Sequence, residues 1–134
     1  MNILVIDAQG GGIGRQAVSA IRKTFPQQHI VAVGTNSDAT SAMLKAGADD
    51  AATGENAVVV CCRTADVIIG PVGIVIADAL LGEITPRMAV AVGQSRAKRI
   101  LIPVNHCDNH IAGIGDMSMA GLIESVVGTL RGLL

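Results

Sequence analysis

The stretch Ile3–Ala17, ILVIDAQGGGIGRQA, places four glycines in five positions shortly after an apolar run. Ile3–Ile6 is short, apolar on successive residues and mostly β-branched, which is typical of a strand covered on both faces in a parallel sheet. Arg15–Phe25 has apolar residues at helical spacing and is closed by Pro26. The glycines therefore lie between the first strand and the first helix of an α/β fold.

Strand patterns and helix patterns continue to alternate along the chain. Further strands are predicted at Ile30–Val33, Asp50–Ala52, Val67–Ile69 and Ile100–Ile102, with an added edge strand at Ile111–Ile114. Further helices are predicted after an N-cap at Ser37, at Ala57–Arg63, at Ile74–Leu81, from Pro86 and at Met117–Leu130. Ala57–Arg63 is rich in valine, but a parallel sheet needs a crossover before the next strand, which favours a helix there. The order of elements predicts one domain over residues 1–134, a three-layer α/β/α sandwich with a Rossmann-like, mostly parallel sheet of about five strands.

Composition and charge argue against nucleic acid and a membrane as partners of the chain. Half of the 134 residues are apolar and 16% are charged, as expected of a globular chain with a core. The formal net charge is −1 and Phe25 is the single aromatic residue, so nucleic acid is a disfavoured partner. The longest uncharged apolar stretch, Val67–Ala77, is shorter than the roughly 20 residues that cross a bilayer, so no membrane span is predicted. Because the N-terminal pattern is not that of a secretion signal, we expect a cytoplasmic protein.

Candidate site residues lie at the predicted carboxyl ends of the strands. In open parallel sheets, ligands bind outside these ends, where the strand order reverses. Polar side chains and glycines are concentrated there, whereas the opposite strand ends are less distinctive. We therefore predict a small-molecule site formed by Asp7, Gln9, Gly10, Gly11, Gly12, Ile13, Gly14, Arg15, Thr35, Asn36, Thr53, Asn56, Gly70, Pro71 and Asn105.

The glycine turn carries half of a dinucleotide-binding fingerprint. Gly12, Gly14 and Ala17 fit Gly-x-Gly-x-x-Ala, in which amides at the start of a helix bind a phosphate, and Arg15 would add a guanidinium donor. The exit of the second strand reads Gly34-Thr35-Asn36, where such proteins carry an acidic residue for the ribose. The predicted ligand is therefore a nucleotide or another phosphate-bearing molecule, and NAD(P) is one candidate cofactor.

Asp7 and the cysteine-histidine segment leave alternatives open. A carboxylate beside the turn repels phosphate unless it binds a hydroxyl, a cation or the protein's own amides. His106–His110 holds one thiol and two imidazoles, but four ligands are not evident and no metal site is predicted. Two alternative functions stay open. The chain has no tyrosine and is too short to include a substrate domain, so an NAD(P)-linked oxidoreductase would need a dimer partner to complete its site. A structural or interaction protein with no ligand is the other alternative.

The segment Val72–Leu81 is apolar apart from Asp78. A helix that is apolar nearly all round buries more surface than one small sheet covers, which is typical of a subunit interface. We therefore predict a homodimer through Val72–Leu81.

Four stretches carry a family resemblance. DAQGGGIG, GTNSDATSAMLKAGADDAATGENA, ADVIIGPVGIVIADALLGEITPRMA and KRILIPVN follow one another in this order over nearly the whole chain. Together they resemble a family of small bacterial proteins, mostly from anaerobic Firmicutes, that is known as a domain of unknown function. The resemblance implies a Rossmann-like domain standing alone, and it brings no established activity or catalytic residue.

Overall fold

A computed structural model gives the structure of the chain and describes residues 1–104 and 108–134. The strands are β1 Asn2–Asp7, β2 His29–Gly34, β3 Asp50–Thr53, β4 Val67–Pro71 and β5 Lys98–Ile102. The helices are α1 Gly12–Thr24, α2 Ser37–Lys45, α3 Glu55–Cys61, α4 Pro86–Gln94 and α5 Met119–Leu133, with a short 3₁₀ helix at Val72–Val75. The predicted alternation of strands and helices is thus confirmed.

The sheet is parallel throughout, with strand order β3-β2-β1-β4-β5. β1 lies in the centre, pairing Ile3 with Ile30 of β2 and with Val67 of β4. The chain moves outward in one direction through β2 and β3 and in the other through β4 and β5, so the strand order reverses between β1 and β4. This confirms a Rossmann-like α/β fold and places the switch point at the glycine turn.

Alternate side chains of the central strand enter two cores. Ile3 and Val5 pack with buried residues of α1, α2 and α5 on one face of the sheet. Leu4 and Ile6 pack with α3, α4 and the segment after β4 on the other. A strand covered on both faces has few polar positions, which is why Ile3–Ile6 reads as a continuous apolar run.

Helix ends are set by local chemistry. α2 has Asn36 as its N-cap, with the side chain accepting from the N–H of Ala39 at 2.9 Å, so the prediction of Ser37 as N-cap was wrong by one residue. α4 begins as predicted, with the Thr85 hydroxyl accepting from the N–H of Met88 at 3.1 Å and Pro86 in the first turn. Across the described ranges, every helix is too short or too polar to cross a bilayer.

Two predicted elements differ in the structure. Ile74–Leu81 is not an α-helix: the 3₁₀ helix ends at Val75, and Asp78, Leu80 and Leu81 take positive φ values of 66, 57 and 58°. Left-handed residues cannot continue a right-handed helix, so the segment folds back as consecutive turns. The predicted edge strand at Ile111–Ile114 is a turn, interrupted by Gly113 at φ 81°.

Candidate functional site

The glycine turn is built around one left-handed residue. Gly11 has φ 72° and donates its N–H to the carbonyl of Ala8 at 3.0 Å. A Cβ on Gly11 would lie 2.8 Å from the Cα of Ala39 at the start of α2. Gly11 is therefore required by the turn and by its close contact with α2.

Gly14 allows α1 to approach the sheet. A Cβ at this position would lie 2.6 Å from the Met43 sulfur and 2.8 Å from the Asp7 Cβ. In a dinucleotide fingerprint, close packing of helix and strand is the role of the third position, which is Ala17 here, whereas Gly14 stands at the second position. Gly10 and Gly12 differ, because a Cβ on either would meet no atom within 4 Å.

Asp7 binds the protein's own amides. It is the last residue of β1, is 4% exposed, and accepts from the N–H of Ala8 at 2.8 Å and the N–H of Gly14 at 2.7 Å, one on each oxygen. Burial raises the pKa of its carboxyl more than hydrogen bonds from the backbone lower it, and the nearby charge of Glu83 raises the pKa further. Of the three explanations for a carboxylate at this turn, the bond to backbone amides is the one the structure contains.

A cleft of about 490 Å³ opens at the glycine turn. Its lining residues are Asp7, Ala8, Gln9, Gly10, Gly11, Gly12, Ile13, Gln16, Leu80, Val104 and Met119. The lining combines the glycine turn with the aliphatic side chains of Leu80, Val104 and Met119. Gly10 and Gly12 both belong to this lining, and their N–H groups have no acceptor among residues 1–104 and 108–134.

An acidic side chain reaches the exit of β2 from a distant segment. The Oε1 atom of Glu83 accepts from the Thr35 hydroxyl at 2.6 Å, from the Asn36 amide at 2.7 Å and from the N–H of Gln9 at 3.1 Å. Partial burial raises the pKa of Glu83, but the three hydrogen bonds outweigh it and hold the pKa below its usual value. Glu83 is missing from the predicted site, because it follows β4 and nothing in its spacing relates it to β2.

Comparison with known families identifies the chain. The family described as "Domain of unknown function (DUF3842)" matches residues 2–134. The chain belongs to the DUF3842 family. A comparison with curated proteins finds no match.

Solved structures of low sequence identity are similar to this DUF3842 chain. A dodecameric FMN-dependent Ubix-like decarboxylase from Escherichia coli O157:H7 is 20% identical, with 98% of this chain and 75% of that chain covered and a TM-score of 0.46. A nucleoside-diphosphate-sugar epimerase from Pseudomonas aeruginosa is 17% identical, with 98% and 47% covered and a TM-score of 0.51. The DUF3842 chain thus spans about half the length of the epimerase, and the likeness shows the fold alone.

The cleft brings together part of the predicted site of the DUF3842 chain. Six of the predicted residues line it, namely Asp7, Gln9, Gly10, Gly11, Gly12 and Ile13. Gly14 is buried and donates to Asp7. Thr35 and Asn36 bind Glu83. Arg15 is exposed and lines a second concavity of about 830 Å³ on the outer faces of α1, α2 and α5, called the outer groove below.

The other predicted residues lie apart from the cleft lining. Thr53 is exposed and hydrogen-bonds the Thr40 hydroxyl at 2.7 Å, and Asn56 is exposed in the first turn of α3. Gly70 and Pro71 are the last two residues of β4 rather than a loop after it, and both are buried. Asn105 lies outside the described residues.

The cysteine-histidine segment is only partly described. His106 and Cys107 lie outside the described residues, and His110 is exposed. Within the ranges that the structure covers, no three His, Cys, Asp or Glu side chains are grouped closely enough to hold a metal ion.

Proposed function

We propose that the chain binds a small phosphate-bearing ligand, such as a nucleotide, in the cleft at the glycine turn. One observation carries the proposal: Gly10 and Gly12 line the cleft, and their N–H groups have no acceptor in the described part of the chain. Gly12 is also the first residue of α1, where the helix dipole favours negative charge. Two backbone donors without an acceptor in the described residues, one of them on the first residue of α1, match the chemistry of a phosphate oxygen.

Asp7 weakens this attraction without removing it. Its carboxylate already accepts from Gly14, so one amide at the start of α1 is taken and part of the dipole is neutralised. Its bonds to the N–H groups of Ala8 and Gly14 do not use the N–H groups of Gly10 and Gly12. A phosphate therefore has Gly10 and Gly12 as its backbone partners.

The aliphatic part of the cleft lining suits the remainder of a nucleotide. It consists of the side chains of Leu80, Val104 and Met119. A purine in this chain has no aromatic ring to stack on, since Phe25 is the one aromatic residue and lies outside the cleft lining, so a base would pack between aliphatic side chains. A volume of about 490 Å³ is within the range of small-molecule sites, roughly 300 to 1,000 Å³.

Titration calorimetry of the purified chain with inorganic phosphate, AMP, ADP and NAD⁺ tests the proposal. Gly12→Asp adds a carboxylate at the cleft, whereas Gly12→Ala adds only a methyl group, and neither Cβ meets an atom within 4 Å. We expect at least one probe to bind the wild type and Gly12→Ala, with roughly tenfold or greater weakening in Gly12→Asp. Absence of binding by every probe, or equal binding by both variants, would contradict the proposal.

We also propose a homodimer, and the support for it is the exposure of one aliphatic side chain. Within Val72–Leu81, Gly73, Ile74 and Leu80 are buried against the chain's own core, whereas Leu81 is 96% exposed. Leu81 is therefore the aliphatic side chain of this segment that a second copy would cover. Sedimentation velocity of the wild type and Leu81→Ser tests this: a dimer that the variant loses is expected, and a wild-type monomer contradicts it.

A further inference from the structure

The segment Ile76–Thr85 holds Glu83 over the carboxyl edge of the sheet. Leu80 and Ile84, on either side of Glu83, are 6% and 1% exposed and pack into the core beside β1 and β2. The N–H of Asp78 donates to the carbonyl of Ile84 at 2.7 Å, which closes the segment on itself. Glu83 is thus carried by a loop whose two anchors are buried.

The carboxylate of Glu83 is also oriented by its own hydrogen bonds. All three donors, from Gln9, Thr35 and Asn36, bind the Oε1 atom. Asn36 is itself fixed, because its Oδ1 caps α2 and its Nδ2 also donates to the carbonyl of Gln9 at 2.8 Å. For the second oxygen, Oε2, no donor exists within residues 1–104 and 108–134. The hydrogen bonds to Oε1 therefore fix the carboxylate, and Oε2 remains an acceptor for a ligand.

This carboxylate lies next to the proposed phosphate site. Gln9 lines the cleft and donates its N–H to Glu83. Asp7 at the end of β1 pairs with Gly34 at the end of β2, so Thr35 follows the strand that neighbours the turn. In dinucleotide-binding sheets, an acidic residue near the end of the second strand accepts the ribose hydroxyls. Here Thr35 and Asn36 occupy the strand exit, and Glu83 brings the carboxylate from 48 residues away.

We propose that Glu83 accepts hydrogen bonds from the vicinal hydroxyls of a ribose, so that the ligand class is a ribonucleoside phosphate rather than an unspecific anion. The inference rests on the proposed function, since the ribose is placed by its phosphate at Gly10 and Gly12. A fixed, ionised carboxylate beside the turn would also repel a second phosphate or a carboxylate at that position, which favours the neutral diol.

The test compares AMP with 2′,3′-dideoxy-AMP by titration calorimetry on three proteins. Glu83→Gln keeps an oxygen for Gln9, Thr35 and Asn36 while replacing the second acceptor with an amide donor. Glu124→Gln removes the same charge from the outer groove and serves as the matched control. We expect the wild type and Glu124→Gln to bind AMP roughly tenfold or more tightly than the dideoxy compound, and Glu83→Gln to lose that preference.

Three other outcomes would contradict the inference. Equal binding of AMP and 2′,3′-dideoxy-AMP by the wild type overturns the ribose contact and leaves the proposed function standing. Tighter AMP binding by Glu83→Gln means that the carboxylate competes with the ligand, which also overturns it. No binding of AMP or inorganic phosphate by the wild type overturns both proposals. Should Glu83→Gln fail to fold, the comparison of the two ligands on the wild type still decides whether the ribose hydroxyls are bound.

Discussion

Replacing Gly11 by alanine should destabilise the chain, whereas the same change at Gly12 should not. Gly11 has φ 72°, and a left-handed conformation costs a residue with a Cβ about 1–2 kcal/mol. The new Cβ would also lie 2.8 Å from the Cα and 3.0 Å from the carbonyl oxygen of Ala39, so α2 must shift, at an overpacking cost of about 1–3 kcal/mol. We expect Gly11→Ala to lower the free energy of unfolding by the sum of the two costs, roughly 2–5 kcal/mol.

Gly12→Ala is the matched control for this prediction. Gly12 is the first residue of α1, and its Cβ would meet nothing within 4 Å. Alanine is the better helix former, so we expect the variant to equal the wild type or to gain up to about 0.5 kcal/mol. Urea denaturation followed by circular dichroism measures both variants, and in a thermal scan their midpoints should differ by roughly 7–20 °C. Equal stability of Gly11→Ala and Gly12→Ala would refute the structural role assigned to Gly11.

Three further predictions concern the core, a helix start and a buried carboxyl. Ile69→Ala, in the fully buried centre of β4, should cost about 3–4 kcal/mol in urea denaturation, against less than about 0.5 kcal/mol for Val90→Ala on the exposed side of α4. Thr85→Ala should cost about 1 kcal/mol by the same assay, because the N–H of Met88 loses its acceptor, and an unchanged midpoint would count against the cap. The raised pKa of Asp7 means that the folded chain keeps this proton after the unfolded chain has lost it, so its contribution to stability is present below the ordinary carboxyl pKa and is lost as pH rises through the raised value. Denaturation curves from acid to neutral pH should therefore show the wild type losing stability relative to Asp7→Asn, and the opposite slope would contradict the shift.

Much of the fold could be predicted from the sequence because its signals are local. A continuous apolar run such as Ile3–Ile6 marks a strand covered on both faces, and the valines of α3 were assigned correctly because a parallel sheet needs a crossover. Ile74–Leu81 was misassigned because apolar content alone does not reveal backbone conformation. Three residues of that segment are left-handed without being glycine, and burial of Leu80 and Ile84 stabilises the turns.

The part of the candidate site that is contiguous in sequence could be predicted, whereas the residue contributed by a distant segment could not. The turn from Asp7 to Ile13 lines the cleft, as its position between a strand and a helix indicates. Glu83 could not be placed from spacing, because its position depends on how the segment after β4 folds back over β1 and β2. Thr53 and Asn56 follow a strand end as well, but β3 lies at the edge of the sheet, away from the switch point.

The cleft and the outer groove are both large enough for a nucleotide, and a titration followed by amide NMR distinguishes between them most directly. In ¹H–¹⁵N correlation spectra of the wild type, we expect AMP to shift the amides of Gly10, Gly12 and Ile13, which line the cleft. The outer groove is larger, at about 830 Å³ against about 490 Å³, and its amides at Ser19 and Lys23 should stay unchanged. Shifts confined to the outer groove, or no shifts at a saturating concentration of AMP, would contradict a nucleotide site at the glycine turn.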